Sequence, residues 1–204
     1  MPPAKNNSQE PLLKGEGLPN YKAIGANEVT NQIPILIDTL NEQFSLLEDK
    51  LKDQIDKNIR LDWQEIMTPL HNLNERLRWS WGLVSHLNGV CNSPELREAY
   101  TKKQPEVIRF NNRVGQSKIL HTALCQLKEQ NYRVLNTTQK RILKSELLSM
   151  KHRGVGLDEA KQKLFNTFSE RLAELSTIFS NHLLDATQKW SMLLTDASDI
   201  EGLP

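Results

Sequence analysis

The chain has 204 residues, with 26 Lys and Arg against 25 Asp and Glu and a formal net charge of +1. That length can bury a core of its own, and the balanced charge lacks the basic excess by which a general nucleic-acid binder neutralises phosphates. No run of 18 apolar residues is present to span a membrane, and the polar stretch Met1 to Pro11 lacks the apolar segment of a signal peptide.

Leu occurs 31 times and Val 7 times. Leu favours helices and Val favours strands, so the expected fold is all-α. Residues 1–27 hold Pro2, Pro3, Pro11, Gly15, Gly17, Pro19 and Gly25 and read as an arm. Its early part is expected to be disordered. Leu12, Leu13, Leu18, Tyr21 and Ile24 are expected to pin the rest to a helical body spanning 28–204.

The first helix should start near Asn27, an N-cap residue, with Glu28 at the positive end of the helix dipole. Ile33, Leu36, Ile37, Leu40, Phe44, Leu47 and Leu51 follow at steps of three and four, with Pro34 as an expected delay or kink. Asp62 and Glu65 form a capping signal for a second helix, which carries Leu70, Leu73, Leu77, Trp81 and Val84 and an expected bend at Pro69. Ser93-Pro94-Glu95 opens a third helix, expected to run to about Asn131 with Pro105 and Gly115 as candidate interruptions. Asn136 and Gln139 cap a fourth, which ends in Lys151-His152-Arg153-Gly154. A fifth should extend from Asp158 to Leu194. Its stripe is Phe165, Phe168, Leu172, Leu175, Phe179, Leu183, Ala186, Trp190 and Leu193. At ~1.5 Å per residue it would be ~55 Å long. The architecture expected is about five long antiparallel helices, a hairpin or bundle, plus the arm.

Catalytic patterns are sparse. None of His71, His86, His121, His152 and His182 is followed by Glu, and no two stand three or four residues apart, so no H-E-x-x-H or helical zinc pair occurs. Neither a phosphate-binding glycine loop nor a G-x-S-x-G elbow is present. Cys91 and Cys125 read as buried free thiols of a reducing, cytoplasmic compartment. The basic run Lys140, Arg141, Lys144, Lys151, His152 and Arg153 reads as a solvated face. Trp81 and Trp190 lie on apolar stripes and are expected in the core. Trp79 lies off its stripe and is the candidate contact with a further domain, a partner or a ligand, the alternative being a second packing face.

Three blocks carry a resemblance. Pro11-Leu12-Leu13 is followed by Gly17-Leu18-Pro19, Tyr21 and Ile24. Trp63 to Tyr100 reads W-x-x-I-x-x-P-L-x-x-L-x-x-R-L and then W-G-L-V-S-H-L-N-G-V-C-N-S-P-E-L-R-E-A-Y. The third is L-S-T-I-F-S-N-H-L-L-D-A-T-Q-K-W from Leu175 to Trp190. In order and spacing these resemble the N-terminal region of the oligopeptidase A type of thimet oligopeptidase-like (M3) zinc metallopeptidases.

The resemblance implies a helical wall of a deep channel that admits short, unstructured peptides. It also implies a C-terminal catalytic half, in cis or as a separate chain, holding the zinc and the H-E-x-x-H helix. No catalytic or metal residue is carried over, because no position in this chain matches those motifs, and substrate-contacting residues are not assigned. The chain is then expected to be inactive alone and to self-associate through apolar faces meant for the other half. The alternative is a non-enzymatic helical interaction module derived from a truncated or split peptidase.

Overall fold

The computed structural model describes residues 10–202, so the start of the arm, expected to be disordered, lies outside the described residues. The described chain is all-helical. It contains α1 (Ala26–Asp56), α2 (Trp63–Val90), α3 (Pro94–Gly115), α4 (Lys118–Asn131), α5 (Thr137–His152) and α6 (Glu159–Lys189). Short 3-10 turns lie at Tyr21–Ala23 and Ala197–Ile200. Helix α1 is the spine, packed against α2, α3 and α4, while α5 lies on α4 and α6 on α3.

Most helix starts follow from side-chain oxygens placed before the first turn. Asp62, Ser93, Asn136 and Asp158 each accept a hydrogen bond from a first-turn N–H. At α5 the exchange is reciprocal: Asn136 Oδ1 accepts from the Gln139 N–H, and Gln139 Oε1 accepts from the Asn136 N–H, both at 2.9 Å. Helix α5 ends as expected, with Gly154 at φ +86°. The Val155 N–H returns to the Met150 carbonyl and the Gly154 N–H to the Lys151 carbonyl, which satisfies two orphan acceptors of the last turn.

Four boundaries differ from expectation. Helix α1 is capped by Gly25 rather than Asn27, because Glu28 Oε2 accepts from the Gly25 N–H at 2.9 Å. Glu65 does not close a box with Asp62; it reaches across to Lys50 Nζ (2.8 Å) and Gln54 Nε2 (3.0 Å) on α1. The stretch from 94 to 131, expected as one helix with Pro105 and Gly115 as candidate interruptions, is two helices that part after Gly115, so the described residues hold six. Ser117 makes the break: its Oγ accepts from the Leu120 N–H and donates to Glu48 Oε1 at 2.6 Å. Helix α6 stops at Lys189, and Trp190 is extended. At ~1.5 Å per residue its 31 residues span ~46 Å. Pro34, Pro69 and Pro105 all lie inside helices that continue past them. Each loses one backbone hydrogen bond, and the packed face on either side holds the helix together.

The core is a single cluster. Leu36, Leu40, Phe44 and Leu51 of α1 join Ile66 and Leu70 of α2, Phe110 of α3, and Leu120 and Leu124 of α4. Arg113 of α3 clamps α1 over this core. Its guanidinium donates to the Asn41 carbonyl (3.0 Å) and Oδ1 (2.6 Å), to Ser45 Oγ (2.7 Å) and to Glu48 Oε2 (3.2 Å), and lies 5.1 Å from the Phe44 ring centre.

The arm contributes to the core. Leu12 is fully buried; its N–H donates to Gln32 Oε1 (2.9 Å) and its carbonyl accepts from Ser80 Oγ (2.6 Å). Ile24 is buried, Leu13 packs at the edge, and Tyr21 tilts against the His86 ring at 5.7 Å. Leu18 is 90% exposed and pins nothing.

Candidate functional site

Helix α6 carries two faces. Gln162, Asn166, Glu170, Thr177 and Asp185 recur near a helical period, and so do Leu164, Phe168, Leu172, Leu175, Phe179 and Leu183 on the opposite flank. Amphipathicity predicts that the apolar flank is the buried one. The structure shows the reverse.

The polar face docks on α3, on Gln116 just beyond it and on the turn between α5 and α6. Gln162 Nε2 donates to the Gly154 carbonyl (3.1 Å). Gln116 Nε2 donates to Asn166 Oδ1 (2.8 Å), and Asn166 Nδ2 returns a bond to Gln116 Oε1 (3.3 Å). Arg109 Nη1 meets Glu170 Oε2 at 3.4 Å, and Thr177 Oγ1 donates to Gln104 Oε1 at 3.0 Å. Arg97 holds Asp185 with two parallel bonds of 3.0 and 2.8 Å. Those bonds keep the Asp185 carboxyl below its ordinary pKa and raise that of Arg97. Of the α6 residues only Thr177 is buried, and a cleft of about 790 Å³ remains between the helices, lined by Gln104, Ile108, Gln162, Asn166 and Glu170 among others. The seam is hydrogen-bonded more than packed.

The apolar flank is open. Leu164, Phe168, Leu172, Leu175, Phe179 and Leu183 are between 46% and 70% exposed. Trp190, expected in the core, is 71% exposed, and Met192 and Leu193 beyond it are also exposed. Ile142 and Leu148 on α5 are exposed as well. A run of such side chains on one helix is an interaction surface, not the scatter found on any soluble protein.

The other candidates fall elsewhere. Trp79 on α2 is half-buried at the edge of the core, and its indole N–H points at the Gly17 carbonyl at 3.3 Å, so one edge of the ring holds the arm. Trp81 stacks on Tyr100 with ring centres 4.7 Å apart. Cys91 is exposed and Cys125 half-buried, so neither thiol is fully buried as expected. Cys125 Sγ lies 3.9 Å from His121 Nδ1, one turn away on α4. Burial and nearby Glu129 push its thiol pKa up, which favours the unreactive protonated form. Lys140 of the basic run rests 4.9 Å from the Tyr132 ring centre, and Arg153 donates to the Asn111 carbonyl.

A second cleft, of about 420 Å³, lies among α2, α3 and α5 and is lined by Arg78, Trp81, Asn111, Glu146 and Arg153 among others. Burial pushes the Glu146 carboxyl pKa up, and Arg153 opposes the shift. A carboxylate pair for acid–base chemistry needs a second acid beside it, and the named neighbours are basic, aromatic or amide. Among the described residues no three His, Cys, Asp or Glu side chains converge to hold a metal ion. The described residues do not fit a zinc site.

The sequence holds the signal for the open flank, in the polar residues at helical spacing on the other side of α6. A helix with one apolar face and one amide-rich, hydrogen-bonding face has two candidate docking sides, and hydrophobicity alone selects the wrong one here.

Residues 35–162 match the family model described as "Neurolysin/Thimet oligopeptidase, N-terminal domain". The chain is 32% identical over 198 residues to a probable cytosolic oligopeptidase A of Arabidopsis thaliana, covering 97% of this chain and 27% of that protein. It is 32% identical over 198 residues to an organellar (chloroplastic/mitochondrial) oligopeptidase A of the same plant, covering 97% of this chain and 24% of that one. It is 34% identical over 195 residues to oligopeptidase A of Haemophilus influenzae, covering 95% and 28%. The chain therefore spans about a quarter of the length of these curated relatives.

Proposed function

Because the chain belongs to the neurolysin/thimet oligopeptidase N-terminal domain family, we propose that it is the helical, non-catalytic part of an oligopeptidase A-like M3 zinc metalloendopeptidase. In the complete enzyme this region forms part of the wall of a channel that admits short peptides, and a C-terminal part supplies the zinc ligands and the general base. The helical body is residues 28–204, with 1–27 as its arm. The compartment proposed is the cytoplasm. The relatives carry both a cytosolic and an organellar name, and no helix of the described residues is long and apolar enough to cross a membrane.

One observation carries this reading: the family match runs from residue 35 within α1 through α5, most of the cored body, in a chain that covers about a quarter of its relatives. The length of α6, ~46 Å along a polar seam on α3, supports this reading. Trp79 keeps its proposed role as a contact residue through the edge of the ring left uncovered. The open flank of α6 favours a second reading, a free-standing interaction module that meets a partner through this helix.

The purified chain tests the non-catalytic role. It is expected to contain no stoichiometric zinc and to turn over no fluorogenic short peptide when zinc is added. Bound zinc at one per chain together with turnover would overturn the proposal.

A further inference from the structure

The cleft among α2, α3 and α5 holds two opposite charges that do not meet. The Glu146 carboxylate is half-buried there and makes no hydrogen bond or ion pair with any described residue. Arg153 spends one N–H, at Nη1, on the Asn111 carbonyl (3.3 Å) and forms no ion pair. Arg78, the other cation of the lining, is already held by Glu75 with bonds of 3.0 and 2.6 Å. A half-buried carboxylate without a partner is costly. Here it shares a cleft with a guanidinium it does not touch, which leaves both open to a ligand.

The helical body fixes this arrangement. Glu146 and Arg153 are seven residues apart, so they lie on one side of α5 with α-carbons ~10 Å apart. Arg153 reaches across the end of α3 because Gly115 has no side chain: a Cβ there would collide with Arg153 Cδ. Gln116 Nε2 also donates to the Arg153 carbonyl at 2.9 Å. Helix α2 supplies an apolar wall in Trp81, whose ring is stacked on Tyr100, and beside it Gly82. Gly82 is in the middle of α2 without a positive φ, and nothing lies within 4 Å of where its Cβ would be. Neither backbone geometry nor close packing calls for glycine there, and glycine weakens a helix interior. What the missing side chain does is leave the cleft open.

We propose that this cleft binds a small zwitterion, a free α-amino acid with an apolar side chain. Glu146 takes its ammonium, Arg153 takes its carboxylate, and its side chain lies along Trp81 and Gly82. A simple cation would leave Arg153 unmatched beside it, and a simple anion would face Glu146. The cleft, about 420 Å³, falls within the roughly 300–1,000 Å³ of small-molecule sites. Every group named comes from α2, α3 and α5 or the residue that caps α5, so the site is complete in this chain. Its failure leaves the family and the non-catalytic role untouched.

Calorimetric titration of the purified chain with L-phenylalanine or L-leucine is expected to show one saturable site per chain. N-acetyl-L-phenylalanine lacks the ammonium and L-phenylalaninamide lacks the carboxylate, so each should bind at least ~10-fold more weakly than L-phenylalanine. Glu146→Gln keeps the shape of the side chain and should weaken L-phenylalanine by at least the same factor. Gly82→Leu should abolish binding while the melting temperature holds or rises, which separates a filled cleft from a lost fold. No saturation by either amino acid at about 10 mM would overturn the proposal. So would blocked forms that bind as well as the parent, or unchanged binding by Gly82→Leu.

Discussion

Phe44→Ala is expected to cost about 3–5 kcal/mol in urea unfolding, the range for removing a buried aromatic ring. Phe44 is fully buried on α1, the helix against which α2, α3 and α4 all pack, so the cavity opens where no single neighbour can move to fill it. The ring also carries the Arg113 guanidinium at 5.1 Å, and the four hydrogen bonds of that guanidinium hold α3 on α1. A domain of this size has a total stability of roughly 5–15 kcal/mol, so the variant sits near the limit of folding. Phe44→Leu keeps most of the volume and is expected to cost under about 1.5 kcal/mol. Equal losses for Leu and Ala would mean that volume at this position does not matter, contrary to the packing described.

Leu12→Ala is expected to cost about 2–5 kcal/mol although residue 12 lies in the arm. Its side chain is fully inside the core, and both of its backbone groups are tied to side chains, Gln32 on α1 and Ser80 on α2. Leu18→Ala, six residues along and almost fully exposed, should stay within about 0.5 kcal/mol of the parent. Thermal unfolding of the two variants side by side checks this. A Leu12→Ala protein as stable as Leu18→Ala would show that the arm does not belong to the cooperative unit.

The two cases mark where sequence reasoning reaches and where it stops. Caps are local chemistry, so Asp62, Ser93, Asn136 and Asp158 are legible from residue type and position alone. The stripes of α1 and α2 are legible because their apolar residues do face the core. Gly115 is legible as a candidate interruption, and α3 does end there; that the chain parts at Gly115 and not at Pro105 is not legible. It depends on the hydroxyl of Ser117 finding Glu48, a residue 69 positions away. Gly25 as the cap of α1 depends likewise on the reach of Glu28, which competes with the cap expected at Asn27.

The largest departure is α6. Periodicity locates an apolar face but carries no information about what covers it. The stripe from Phe168 to Leu183 is legible, yet its exposure and the docking of the opposite, amide-rich face are not, and Phe165, expected on the stripe, is half-buried while Leu164 takes the open side. The same reasoning puts Trp190 in the core, whereas it is exposed where the helix has already ended. Trp79, the candidate contact residue that lies off the stripe, has its indole N–H on the Gly17 carbonyl of the arm. Function was legible only through the resemblance, since the balanced charge and the scattered His and Cys residues exclude classes without selecting one.

The most direct test of the account is an exchange. The region of Haemophilus influenzae oligopeptidase A that aligns with this chain is replaced by residues 1–204, and cleavage of a quenched fluorogenic short peptide is measured. The account predicts that the hybrid cleaves the short peptide, leaves a folded protein intact, and loses activity when this region is deleted altogether. A folded, zinc-loaded hybrid with no peptide cleavage, or undiminished and equally size-selective cleavage by the C-terminal part alone, would contradict it.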